Sequence, residues 1–379
     1  MSVGGTDMGA RAGVALLAGL LVVGSLAAGC GGRAAATGAA SDQPKVGVLL
    51  PTAATAARWE NVDGPMLERM LRGEGLDPDV RNAAGDGAAL AGVAQQMITD
   101  GAKVLVVATP DRPSLAAVVA GAKARGVPTI DYDAHGTSSV ADYSLALDYR
   151  AIGQLQGRGL IRGVRGTKDA AVVELAASPT ESSTEALLDG QHNILRPRYD
   201  KRVYRLVGSQ RFTAGPTAAG PGSEAGAGPA FEKLLDAAGG KVDGVVAADD
   251  QIAAEVIDVL RRREMVGKTV VTGMGATPDA LRAILRGEQF MTVYIPPETQ
   301  TAATARLAAA LARGDRAAAD QQASISGGTA GDGGSRAVPL TPASVTLDTI
   351  KQVFDGGLAD SGDVCTDDLA LRCNQLSIS

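Results

Sequence analysis

Two histidines, three cysteines and one tryptophan in 379 residues leave few side chains for metal binding or nucleophilic catalysis. Neither His135 nor His192 lies in a His-Glu-x-x-His pattern, and no Gly-x-Ser-x-Gly elbow accompanies them. The run Asp131-Tyr-Asp133-Ala-His135 places ligand-type residues at alternate positions, yet no distant His or Cys completes a metal set. Turn chemistry accounts for it. Gly273-Met-Gly-Ala-Thr277 imitates a phosphate loop without the following lysine. A carboxylate pair for glycoside hydrolysis is the one catalytic arrangement that stays open. No enzyme activity, metal or cofactor is therefore expected. Bases are scarce too: the formal charge is −6, and the one tight cluster is Arg261-Arg262-Arg263, on a predicted helix. A nucleic-acid partner would need a basic face, so none is expected.

What is present begins with an apolar run from Ala12 to Gly29, closed by Cys30. Arg11 supplies a thin positive start, Val14–Leu26 the hydrophobic stretch, and Ala27-Ala28-Gly29 the small residues of a cleavage site. A membrane span of ~20 apolar residues is nearly matched in length, so a span stays open. The ending in small residues and Cys, not Lys or Arg, favours cleavage. The segment resembles a bacterial lipoprotein signal, in which the Cys becomes the first residue and carries acyl chains. Ala27 stands where that signal usually has a larger aliphatic residue. Simple secretion and an uncleaved anchor are the other outcomes. Residues 1–29 then read as signal peptide and 30–43, without apolar periodicity, as a flexible tether. Once Cys30 takes lipid, Cys365 and Cys373 remain as an even pair in an oxidising compartment, which predicts a disulfide at the C-terminal tail. Two unpaired thiols in a frayed terminus are the alternative.

After the leader about 350 residues remain, more than one ordinary core holds, so two lobes are expected. Predicted strands are Lys45–Leu50, Val104–Val107, Pro128–Asp131 and Ser144–Leu147, then Ala170–Leu175, Lys201–Val207, Asp243–Ala247, Thr269–Thr272 and Phe290–Ile295. Amphipathic helices separate them; the clearest is Gln251–Glu264, with Ile252, Val256, Val259 and Leu260 on one stripe. Apolar strands alternating with helices predict parallel sheets covered on both faces, in two consecutive sets. Ligands of open α/β sheets bind at the carboxyl ends of the strands. The loops to watch are therefore 51–61, 108–113, 131–138, 176–183, 209–228, 248–251 and 273–277.

The segments "KVGVLLPT…ARWEN", "QQMITDGAKVLVV", "GVPTIDYD", "DGVVAADD", "FMTVYIPPETQTAATA" and "VPLTPASVT" give the chain from Lys45 onward a specific likeness. It resembles the periplasmic sugar-binding proteins of ABC importers, the xylose-binding branch most closely. The resemblance implies a type I periplasmic binding protein fold: α/β, two Rossmann-like lobes with parallel sheets joined by a three-segment hinge. It places the first lobe at 44–148 plus 296–320 and the second at 149–295 plus 336–379. It also implies a ligand held between the lobes, hinge closure and an ABC permease as partner.

The resemblance carries binding residues over unevenly. An Arg-Trp pair survives as Arg58 and Trp59, where a sugar face would stack on the indole while the guanidinium bonds hydroxyls. Asp133 keeps the family's Asp, but Ala134 replaces its Arg. Ser182 or Ser183 stands for an Asn, Arg211 for a second Trp, with Phe212 beside it as a substitute. Asp249-Asp250 replaces Asn-Asp. Gly275, after Met274, replaces an Asp, and Ile295 a Lys. Each lost hydrogen bond costs ~1–3 kcal/mol, so several together imply on the order of a thousandfold in affinity. Tight xylose binding is not expected. The Gly/Pro-rich stretch 213–230 reads as a surface insertion, with a lid as the alternative.

These expectations converge on a lipid-anchored, extracytoplasmic, monomeric solute-binding protein. It would take a sugar or related small polar ligand, deliver it to a permease, and sit on the bilayer through acylated Cys30. The other reading is a non-transporting sensor or scaffold lipoprotein with a degenerate site.

Overall fold

The computed structural model describes residues 43–51, 58–83, 87–109, 112–132, 139–176, 182–211, 226–325 and 336–378. Strand β1 (Lys45–Leu50) leads through a short π-helical turn, Trp59–Asp63, into α1 (Gly64–Gly73). There follow β2 (Asp77–Asn82), α2 (Gly87–Thr99), β3 (Val104–Val107), α3 (Arg112–Lys123), β4 (Thr129–Asp131) and β5 (Tyr143–Leu147). These five strands, with β11 (Ser324–Ile325) and β12 (Arg336–Leu340) from near the C-terminus, form a seven-stranded sheet in the order β2-β1-β3-β4-β5-β12-β11.

The second set comprises α4 (Tyr149–Gly163), β6 (Ala170–Ala176), α5 (Ser182–Asp200), β7 (Tyr204–Arg211), α6 (Ala227–Ala237), β8 (Gly244–Ala247), α7 (Asp250–Arg262) and β9 (Val270–Val271). Its parallel sheet runs β7-β6-β8-β9. Next come α8 (Pro278–Arg286), β10 (Met291–Tyr294), α9 (Pro297–Ala312), α10 (Arg316–Gln322), β11 (Ser324–Ile325), β12 (Arg336–Leu340) and β13 (Ala343–Thr346). Strand β10 pairs antiparallel with β13. The chain thus passes between the two sets three times: after β5, after β10 and after β12. Two parallel sheets flanked by helices and joined in this way form the type I periplasmic binding protein fold. Among the described residues no helix is long and apolar enough to cross a membrane.

Burial explains why these segments are strands. Val104, Leu105, Val106 and Val107 are all buried, as is every residue of β6, because helices cover both faces. In α7 the stripe Ile252, Val256, Val259 and Leu260 is buried, and Asp249 Oδ1 caps the helix by accepting the Ile252 N–H at 2.8 Å. Packing of α4 against α5 needs glycine: a β-carbon on Gly153 would meet the Leu187 carbonyl oxygen at 2.0 Å.

Three expectations need correction. Strand β12 belongs to the first sheet, beside β5, although the sequence boundaries assigned 336–379 wholly to the second lobe. Pro339 is tolerated there because β11 pairs only with Arg336 and Ala337, leaving no partner for the missing N–H. Strand β7 starts at Tyr204, not Lys201, since the turn ending α5 occupies 201–203 and holds Arg202 at φ 55°. The Gly/Pro-rich stretch is shorter than 213–230 as an unpatterned segment, because α6 begins at Ala227 and its Phe231 is fully buried. The C-terminal tail, for which a disulfide is the expectation and a frayed end the alternative, is packed. Val364, Leu369, Cys373 and Ile378 join Leu281 and Ile284 of α8 in a core of their own, and Cys373 is disulfide-bonded to Cys365.

Candidate functional site

Arg58 and Trp59 follow the carboxyl end of β1, where an open α/β sheet presents ligand-binding groups. The π turn sets their geometry. The Gly64 N–H bonds the Trp59 carbonyl, five residues back. In an α-helix of 3.6 residues per turn, side chains five apart diverge; the wider turn aligns them. Arg58 and Asp63 consequently meet side-on: Nε donates to Oδ2 at 2.6 Å and Nη2 to Oδ1 at 2.9 Å. The Tyr132 hydroxyl, just beyond β4, donates to the same Asp63 Oδ1 at 2.6 Å. Asp63 is wholly buried. Gln300, in the first turns of α9 after the second crossing, donates from Nε2 to the Tyr132 carbonyl at 2.6 Å.

Trp59 differs from its expected role as an open stacking platform. It is 6% exposed and belongs to the first core with Leu50, Leu67 and Tyr132. The Arg58 guanidinium lies 4.7 Å from its ring centroid, and the Tyr132 ring meets it edge-on at 6.5 Å and 66°. Its Nε1–H is buried and has no acceptor among the described residues. A buried donor without a partner is costly, so this is a place for a ligand oxygen or water.

In the second lobe Asp249 and Asp250 diverge in use. Asp249 caps α7 through one oxygen at the carboxyl end of β8, and burial pushes its carboxyl pKa up. Asp250, expected as a ligand contact, points into the lobe instead. Its Oδ1 accepts from Thr292 Oγ1 at 2.8 Å and Gln289 Nε2 at 3.0 Å, and its Oδ2 accepts from the Thr277 N–H at 3.1 Å. Burial raises its pKa, opposed by these bonds. Met274 is half-buried against the second core and accepts the Asp250 N–H through its carbonyl. Gly275 sits at φ 133°, where a β-carbon would lie 3.2 Å from Asp250 Oδ2. Ile295 packs on the first core.

Arg211 ends the edge strand β7, exposed, and pairs with Glu185 of α5 at 2.5 Å. Ser182 and Ser183 open α5, with side chains outside the described residues. Asp133, Phe212 and Cys30 also lie outside them. The structure therefore brings Arg58 and Trp59 together, keeps Asp249 at a strand end, and commits Asp250 to the interior.

Sequence reasoning missed Asp63, Tyr132, Gln300 and Gln156. Gln156 of α4 donates from Nε2 to the carbonyls of Ala247, Ala248 and Gly273, each at 3.1 Å, and so fixes the loop floor of the second lobe. A buried Gln on a helix facing strand ends was the available signal. A cavity of about 490 Å³ lined by Arg162, Thr269, Phe290 and Asp348 opens at the amino ends of β9 and β10, the wrong end for these loops. Among the described residues no cluster of His, Cys, Asp and Glu is arranged to hold a metal ion.

A periplasmic binding protein domain profile matches residues 46–316. The chain is 29% identical over 337 residues to the multiple sugar-binding periplasmic protein SbpA of Azospirillum brasilense, covering 85% of this chain and 90% of that protein. It is 27% identical over 297 residues to the D-xylose-binding periplasmic protein of Escherichia coli, covering 78% and 84%. Among solved structures, an ABC transporter solute-binding protein from Clostridium phytofermentans with bound β-D-glucose shares the fold at TM-score 0.54 and 22% identity, covering 84% of this chain and 99% of that one. A periplasmic ribose ABC transporter protein from Conexibacter woesei does so at TM-score 0.57 and 17% identity, covering 87% and 100%.

Proposed function

The chain belongs to the periplasmic binding protein family, whose members bind solutes and do not catalyse, and from that premise we propose that it is the extracytoplasmic receptor of an ABC import system. Its ligand is a sugar or related small polar molecule. The observation that carries this reading is the Arg58–Trp59 pair beyond the end of β1, with the guanidinium fixed and the indole N–H lacking an acceptor among the described residues. A ring hydroxyl supplies the acceptor and bonds the guanidinium. The curated relatives are named for binding multiple sugars and xylose, which supports a carbohydrate.

The ligand need not be xylose, although the motifs resemble that branch most. Ala134, Arg211, Gly275 and Ile295 stand where the resemblance implies polar or aromatic partners, and Asp250 is turned inward. Closure is a population shift: contacts to both lobes favour the closed form, and the three crossings bend. We assign 44–148 plus 296–340 to one lobe and the rest of the described chain to the other. Acylation at Cys30 would tether the protein, because two or more chains at ~0.8 kcal/mol per methylene anchor stably where one does not. Cell fractionation of Cys30→Ser tests this: release from the membrane supports the lipid anchor, and retention shows an uncleaved span.

Thermal unfolding of the full chain in mild detergent, followed through Trp59, tests the receptor reading against sugars, polyols, amines and nucleosides. A ligand at 100 times its dissociation constant adds ~2.7 kcal/mol. Stabilisation by a sugar or polyol is expected. No response to any of them overturns import of such ligands and favours a sensor or scaffold role. The enclosed Asp250 and the strained Gly275 are what favour that second reading; neighbouring genes for a kinase in place of a permease would mark it.

A further inference from the structure

The most tightly specified polar group near the β1 loop is not one of the residues that the resemblance marks. Asp63 has no exposed surface and accepts three hydrogen bonds: two from Arg58 and one from Tyr132. The side-on pairing fixes the plane of the guanidinium through two parallel N–H···O bonds. The same pairing holds the guanidinium over the Trp59 ring. All of this depends on the π turn, which aligns positions 58 and 63.

We infer that Asp63 is the positioning residue of the first-lobe contact: it sets the Arg58 guanidinium across Trp59. The inference rests on the receptor reading for its ligand, but not for its geometry. A buried carboxylate anchored only for stability would not control the surroundings of Trp59. Here the anchored group is the cation on the indole, so loss of Asp63 must change what the indole senses.

Trp59 is the one tryptophan in the chain, which makes the test direct. Emission and acrylamide quenching of Trp59 are measured without ligand, on the full chain in mild detergent, for the wild type, Asp63→Asn, Arg58→Ala and the double variant. Asp63→Asn is nearly isosteric but breaks the side-on pairing. The expected result is that Asp63→Asn shifts emission and raises quenching as Arg58→Ala does, while the double variant goes no further. Wild-type emission in Asp63→Asn, or shifts that add in the double variant, overturns the inference. Tyr132→Phe, which deletes one hydroxyl and keeps the ring, serves if Asp63→Asn does not fold; it should give a smaller shift of the same sign, and no shift counts against the inference. With D-glucose and D-xylose as probes, Asp63→Asn should lose about tenfold or more in whichever affinity the wild type shows. If neither sugar binds the wild type, the receptor reading suffers while the ligand-free arm still decides the role of Asp63.

Discussion

Gly273 lies so close to Asp250 that a β-carbon on the glycine would sit 2.2 Å from the carboxylate Oδ1. Together with the Thr277 N–H on Oδ2, that contact wraps the 273–277 loop around a buried carboxylate. The loop is thus shaped from inside the lobe. Its backbone reaches φ 133° at Gly275, a region that side chains rarely adopt.

Placing an Asp at this position by Gly275→Asp, as the resemblance would suggest, should therefore fail to build a ligand contact. The substitution puts a side chain at a strained φ and a second carboxylate beside Asp250. We expect a loss of roughly 2–4 kcal/mol in urea unfolding and no gain in xylose affinity. Unchanged stability with tighter xylose binding would show that the loop adapts.

The disulfide joins two residues eight apart, so the chain-entropy effect is modest, roughly 2–3 kcal/mol. Cys373 is nevertheless part of the core formed with α8. Denatured, unreduced protein should show no free thiol other than any unacylated Cys30. Reduction should lower the unfolding temperature and speed exchange of amides in 361–378. Free Cys365 and Cys373 would contradict the pairing.

Legibility followed burial. The strands through 46–50 and 104–107 were plain in the sequence because every residue of both runs is buried and none is polar. Strand β2, Asp-Pro-Asp-Val-Arg-Asn, was not, because it is an edge pairing only with β1 and needs no apolar run. Arg58 and Trp59 were visible through the family's motif. Asp63 was hidden because the relevant spacing is five, a π-turn interval absent from helical patterns. Tyr132 and Gln300 are 168 residues apart, and only the fold brings them together. Gly275 looked like a lost ligand group because φ cannot be read from residue identity.

His192 provides a pH test. Its Nε2 lies 3.1 Å from the buried Glu174, whose other oxygen accepts from the Tyr199 hydroxyl at 2.9 Å. The bond to Glu174 raises the His192 pKa above 6.5, opposed by burial. A raised pKa means the folded state holds a proton that the unfolded state releases. The stabilisation is therefore full below pH 6.5 and is lost as pH rises through the folded pKa. Urea midpoints across the neutral range should fall more steeply for the wild type than for His192→Phe. Parallel slopes would show that the pair does not contribute.

Trp59 separates packing from recognition. Trp59→Ala empties a site in the first core and should cost ~3–5 kcal/mol, a large share of a typical 5–15 kcal/mol total. Loss of ligand binding in that variant would say little, since the surrounding core changes with it. Trp59→Phe keeps an aromatic face for the Arg58 guanidinium and an edge contact for Tyr132, while deleting Nε1. Removing a buried donor that has no acceptor among the described residues offsets part of the lost packing, so its stability penalty should be smaller, about 1–2 kcal/mol. If the ligand supplies the missing acceptor, Trp59→Phe nonetheless binds about tenfold more weakly, because one hydrogen bond disappears from a desolvated site. Calorimetric titration beside urea unfolding resolves the two effects. Full affinity in Trp59→Phe would place the ligand's oxygens elsewhere and leave the indole N–H to a buried water.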